Sequence, residues 1–142
     1  MSLNRRDVLA ALKTILATTS GVTTVVRTFV PIDITNYNEN ELPLIELQEP
    51  DEMPDEEMTS MKQIALLEMK CRVWFVVWGE SPTTTYESLV KALRDKIGAN
   101  FKLSDTATGC WVIDVTKVEG EMPLFHFEIS LRLKYYLDLQ NA

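Results

Sequence analysis

Residues 65–77 read ALLEMKCRVWFVV. The odd positions, Ala65, Leu67, Met69, Cys71, Val73, Phe75 and Val77, are all apolar, and Glu68, Lys70 and Arg72 occupy the even positions between them. Alternation with a period of two over this length predicts one long strand with a single face in a core. Towards both ends the even face turns apolar as well, through Ile64 and Leu66 on one side and Trp74, Val76 and Trp78 on the other. A second strand of the same kind closes the chain. Phe125, Phe127, Ile129, Leu131, Leu133 and Tyr135 alternate with His126, Glu128, Ser130, Arg132, Lys134 and Tyr136. Two strands with one buried face each need a second layer, and helices on one side of a sheet supply it.

Working outward, two helical patterns provide that layer. Val8, Leu9, Leu12, Ile15 and Leu16 make an apolar stripe over about Asn4 to Ala17, with Asn4 as N-cap and Asp7 near the positive end of the dipole. Ser81 and Pro82 open the second helix, Tyr86, Leu89, Val90, Leu93 and Ile97 form its stripe, and Gly98 follows. Val22–Val30, Leu42–Gln48 and Trp111–Val118 read as further strands. Glu49–Ser60, with Pro50, Pro54 and six carboxylates, reads as an acidic mobile loop inside a hairpin. The expected order is α-β-β-β-α-β-β over residues 1–142. It describes a single α+β domain, mainly antiparallel, with two helices on one face of the sheet.

Composition narrows the function classes. The 142 residues are 46% hydrophobic and 25% charged, the range of an ordinary globular protein. No apolar run approaches the roughly 20 residues of a membrane span, and the first 16 residues make a poor signal peptide. Two cysteines fit a reducing compartment and no disulfide scaffold. The net charge is −7, yet ten acidic and no basic residues fall between Asp33 and Glu57, so the rest of the chain carries a net +3. Such a balance argues against tight binding of nucleic acid, which needs cations to neutralise phosphates.

Chemistry is sparse. The five glycines, at 21, 79, 98, 109 and 120, are too scattered to cradle a phosphate. Cys71, Cys110 and His126 are the only soft or imidazole ligands and stand far apart, so no metal site is expected. Cys71 falls on the apolar face and reads as a small buried hydrophobe. His126 has no nucleophile in pattern beside it and reads as a surface histidine. The acidic run lacks the spacing and central glycine of a calcium loop. No catalytic residue and no cofactor is therefore expected. What remains is shape: Ile64, Leu66, Trp74, Val76 and Trp78 make an apolar even face, and Trp is enriched as an interface anchor.

The whole pattern resembles the tail terminator proteins of long-tailed bacteriophages, also described as tail completion or minor tail protein U-like. The resemblance lies in the opening helix RRDVLAALKTIL, the strand LPLIEL after a polar loop, and the acidic insertion before the long strand. The helix YESLVKALRDKI and the closing LRLKYY extend it over nearly the full chain. The length and acidity of residues 49–57 depart from it. The resemblance implies a non-enzymatic virion protein that assembles as a homo-oligomeric ring, typically a hexamer. That ring caps the tail tube at the neck, ends its polymerisation and meets the head–tail connector. The implied partners are further copies of the chain, the major tail tube protein and the connector. Assembly takes place in the host cytoplasm, DNA passes without tight binding, and no membrane is involved. On this reading Ile64, Leu66, Trp74, Val76 and Trp78 belong to the subunit interface. Some of Glu49, Asp51, Glu52, Asp55, Glu56 and Glu57 face the lumen or the adjoining ring. The alternatives are another neck or head-completion protein and a dimeric small-molecule-binding α+β domain.

Overall fold

The computed structural model describes residues 5–54 and 64–136. Two helices, α1 (Arg5–Ala17) and α2 (Thr83–Ala99), stand beside six strands: β1 (Thr24–Thr28), β2 (Leu44–Gln48), β3 (Asp51–Pro54), β4 (Ile64–Val76), β5 (Gly109–Glu121) and β6 (Leu124–Tyr136). The fold is α+β with a mixed, mainly antiparallel sheet. Its strand order is β1-β2-β4-β6-β5, with β3 also paired to β4.

The alternation of residues 65–77 sets the two faces of this sheet. Ala65, Leu67, Met69, Cys71, Val73, Phe75 and Val77 are all buried on one face. There they join Phe127, Ile129, Leu131, Leu133 and Tyr135 of β6 and Ile45 and Leu47 of β2. Full antiparallel register from Ile64↔Tyr136 to Val76↔Leu124 makes the match continuous. The helices cover this face: Val8, Leu9, Leu12, Ile15 and Leu16 of α1 and Leu89, Leu93 and Ile97 of α2 are buried in the same cluster. Tyr86 stands edge-on to Phe127, with ring centroids 5.0 Å apart. Each fully buried side chain of this size contributes roughly 1.5–3 kcal/mol.

The strand ends differ from the sequence reading: β1 is shorter than the expected Val22–Val30 and leaves Phe29 and Val30 outside it, β2 begins at Leu44 and not Leu42, and β5 is longer than the expected Trp111–Val118. Beyond strand ends, the structure departs from that reading in four places. Asp51–Pro54 of the expected loop 49–60 is strand β3, paired with Ala65–Glu68 of β4, so the order is α-β-β-β-β-α-β-β. The long β4 offers a free edge beyond the end of β2, and the chain resumes pairing there after Glu49 and Pro50. Residues 55–60 of that loop, and Asn4 with its capping role, lie outside the described residues. Secondly, β1 and β2 are parallel, because residues 29–43 carry the chain back before β2 begins. Thirdly, α2 runs to Ala99 with Gly98 inside it, and Asn100 closes it by donating its side-chain amide to the Lys96 carbonyl. Finally, Ser81 accepts from the Thr83 amide at 3.3 Å, while Pro82 stands at the cap position, one residue before the helix.

Candidate functional site

The second face of the sheet, turned away from the helices, carries the residues that the sequence singled out. Its composition follows from register. Trp74 of β4 stands between Leu44 of β2 and His126 of β6, and Arg72 between Glu46 and Glu128. Glu68 lies between Asp51 of β3 and Arg132 of β6, and Leu66 between Met53 and Lys134. The middle of the face is therefore a charged ladder with apolar groups at either end.

The ladder is internally paired. Arg132 donates Nη2 and Nε to Glu68 Oε1 at 2.9 and 3.2 Å. Arg72 Nε lies 3.6 Å from Glu128 Oε1. Glu46 is the exception to all expectation, because it is 0% exposed. Its Oε2 accepts from the Thr28 hydroxyl at 3.2 Å and from the Ile32 amide at 3.0 Å. The connection between β1 and β2 thus crosses this face, held to it by a buried carboxylate. A single Glu inside the apolar strand LPLIEL was the available signal, since a charge in a strand without apolar alternation has no solvent face to occupy.

The five expected interface residues do not share one environment. Ile64 is buried within the single chain, at 3% exposure. Leu66 and Val76 are half-buried. Trp74 is half-buried and stacked on His126, ring centroids 4.1 Å apart at 26°. Trp78, just past β4, is 65% exposed, and its indole N–H donates to Glu39 Oε1. Sequence reasoning missed other exposed apolar groups: Phe29 at 89%, Val30, Met53, Trp111 and Ile113. Phe29 and Val30 follow edge strand β1, and Trp111 and Ile113 lie on edge strand β5. Ile113 sits where β5 bulges against β6, between Val112 and Asp114, which removes it from the alternation that sequence patterning relies on. The Trp111 ring lies over Gly109, where a Cβ would stand 2.2 Å from it.

The acidic segment divides as well. Glu49 accepts from Arg5 Nη2 at 2.9 Å and faces Arg27 Nη2 at 3.4 Å. The bond from Arg5 holds its carboxyl below the usual carboxylate range, and partial burial opposes the shift. Glu52 accepts the Tyr135 hydroxyl and lies 3.9 Å from Arg5 Nη1. Burial first, and Glu52 second, push the Tyr135 phenol well above its ordinary value. These two carboxylates are tied to the helix face, whereas Asp51 is exposed. Asp55, Glu56 and Glu57 lie outside the described residues.

Groups capable of covalent chemistry are subdued. Burial pushes the Cys110 thiol up to about 12 and the Cys71 thiol higher still, with Cys110 and Glu46 adding to the latter. Burial, reinforced by Arg72 and opposed by Glu128 and Glu46, lowers the pKa of His126. Among the described residues, no group of three or more His, Cys, Asp or Glu could hold a metal, and no helix is long and apolar enough to cross a membrane. A cleft of about 340 Å³ lies where α2 begins, lined by Phe75, Tyr86, Phe125, Val118, Lys117 and His126 among others.

No family model matches the chain, and no curated protein matches it. Among solved structures, it is similar to a chain from the virion of a native gene transfer agent particle. The two are 14% identical, 91% of each is covered, and the TM-score is 0.46.

Proposed function

We propose that this chain is a structural virion protein of the tail terminator kind, a subunit of a ring that caps a phage-like tail tube, ends its growth and presents a surface to the head connector. One observation supports this above the others. Exposed apolar residues lie at opposite edges of the sheet, Phe29 and Val30 after β1 and Trp111 and Ile113 on β5. A ring is built from head-to-tail contacts, in which one patch meets a different patch on the neighbour. Aromatic anchors at two distinct edges suit that symmetry, and Trp78, with Leu66, Trp74 and Val76, adds a third apolar element on the second face. Ile64 enters such an interface only if its local cover opens. On this reading the exposed Asp51 is one of the acidic residues that line a lumen, where negative charge repels DNA phosphates within a Debye length of about 8 Å. The reading needs no enzymatic step and no cofactor.

The test is mass measurement in solution with negative-stain imaging, on the chain alone and mixed with tube protein. Rings with a central hole are expected for the wild type. Trp78→Ser and Trp111→Ser are expected to give folded monomers with unchanged far-UV circular dichroism. A wild-type chain that stays monomeric in both settings would refute the reading. A second reading, a dimeric small-molecule-binding domain, draws on the cleft beside α2, where Thr83, Tyr86, Lys117 and His126 carry the polar groups. A ligand that protects those residues in a monomer or dimer would favour it.

A further inference from the structure

Three polar atoms on neighbouring positions of the second face are buried without a hydrogen-bond partner: Glu46 Oε1, Trp74 Nε1 and Arg72 Nε, whose ion-pair contact with Glu128 Oε1 at 3.6 Å is too long for a hydrogen bond. Glu46 and Arg72 are directly opposite in the β2–β4 register, and Trp74 is the next residue along the same face of β4. Side chains so related have Cβ atoms about 5 Å apart across the strands and roughly 7 Å apart on the diagonal. A buried polar group without a partner is costly, and native proteins satisfy nearly all of them. The set is chemically specific: one carboxylate oxygen that accepts and two N–H groups that donate. An anion would meet Glu46 and Glu128, and a metal ion would meet the Arg72 guanidinium and two N–H groups that cannot ligate it. A neutral molecule that accepts two hydrogen bonds and donates at least one satisfies all three atoms.

The geometry points to a structural water site between β2 and β4, in which one internal water accepts from Arg72 Nε and Trp74 Nε1 and donates to Glu46 Oε1. Such a water makes about three hydrogen bonds, the number typical of buried waters. It completes a network that runs from the Ile32 amide and Thr28 hydroxyl, through Glu46, to Arg72 and its Glu128 partner. The connection over the second face and the indole stacked on His126 are then fixed by one polar cluster. This inference concerns the folded subunit and stands apart from the assembly reading.

A wild-type crystal structure at about 1.8 Å resolution or better tests it. The expected result is a single ordered water within hydrogen-bond reach, about 3 Å, of Glu46 Oε1, Arg72 Nε and Trp74 Nε1. A map without such a water, in which Arg72 Nε closes directly on Glu46 or Glu128, overturns the inference. In solution, the Trp74 indole proton should show a cross-peak to bound water, assigned by its disappearance in Trp74→Phe. Absence of that cross-peak in the folded wild type also overturns it.

Discussion

Glu46→Ala should be among the most damaging single changes that leave the apolar core intact, and its cost can be worked from the contacts. Glu46 is fully buried, and its Oε2 takes the Ile32 amide at 3.0 Å and the Thr28 hydroxyl at 3.2 Å. Truncation leaves both donors without their acceptor and opens a void beneath the connection of residues 29–43. A hydrogen bond to a charged group contributes about 1.5–3 kcal/mol, and a stranded buried donor costs about 1–3 kcal/mol. The Thr28 hydroxyl can turn to another partner, whereas the Ile32 amide is fixed by the backbone. The expected loss is therefore about 2–4 kcal/mol in total. For a chain of this size that lowers Tm by roughly 6–12 °C. Glu46→Gln keeps a carbonyl oxygen for the same two donors and should lose about 1 kcal/mol. Arg72 is not orphaned in either variant, because Glu128 stays 3.6 Å away. Thermal unfolding by circular dichroism measures the first effect, and native-state amide exchange at Ile32 localises it. The Ile32 amide should exchange at least tenfold faster in Glu46→Ala, with β4 and β6 amides far less affected. A Tm within about 1 °C of wild type, with Ile32 protection unchanged, would show that the connection is held by something other than this carboxylate.

Two further outcomes follow from the paired groups. Glu49 titrates below its ordinary range because Arg5 binds its charged form, so that stabilisation is complete above the unfolded carboxylate pKa of about 4.3 and is lost as pH falls through the lower folded value. Arg5→Ala should thus reduce Tm at pH 7 by the equivalent of about 1 kcal/mol, and the gap to wild type should shrink by pH 2.5; an equal gap at both pH values would rule out the ion pair as the cause. Cys71 and Cys110, both buried with raised thiol pKa values, should resist Ellman's reagent in the native protein at pH 8 and both react in denaturant; a rapid equivalent of thiol in the native state would contradict that burial.

The helix-facing half of this molecule was legible in its sequence because it obeys periodicity. Every odd residue of 65–77 is buried, and so are the five stripe residues of α1. Apolar side chains have one favourable destination, so their spacing reveals the element and its inner face together. The other half was less legible, for reasons that lie in particular residues. Asp51–Pro54 carries two carboxylates and a proline, a composition that local propensity assigns to a loop, yet the unpaired edge of β4 recruits it as β3. Backbone hydrogen bonds to a waiting strand are blind to side-chain chemistry, and Glu52 can turn to Tyr135 and Arg5 on the helix face. Ile113 is exposed because a bulge displaces it, and a bulge leaves no mark in a hydrophobicity pattern. Glu46 is buried because a connection 14 residues upstream folds over it, a contact between elements that neither segment announces alone. Trp74 and Trp78 illustrate the same limit: identical residues two turns of the pleat apart on one face, yet one is stacked on His126 and the other reaches out to Glu39. Exposed apolar residues have no internal core to satisfy. They follow no period of their own, and only the folded register brings Trp111 and Ile113 to one edge of the sheet and Phe29 and Val30 to the end of the strand at the other.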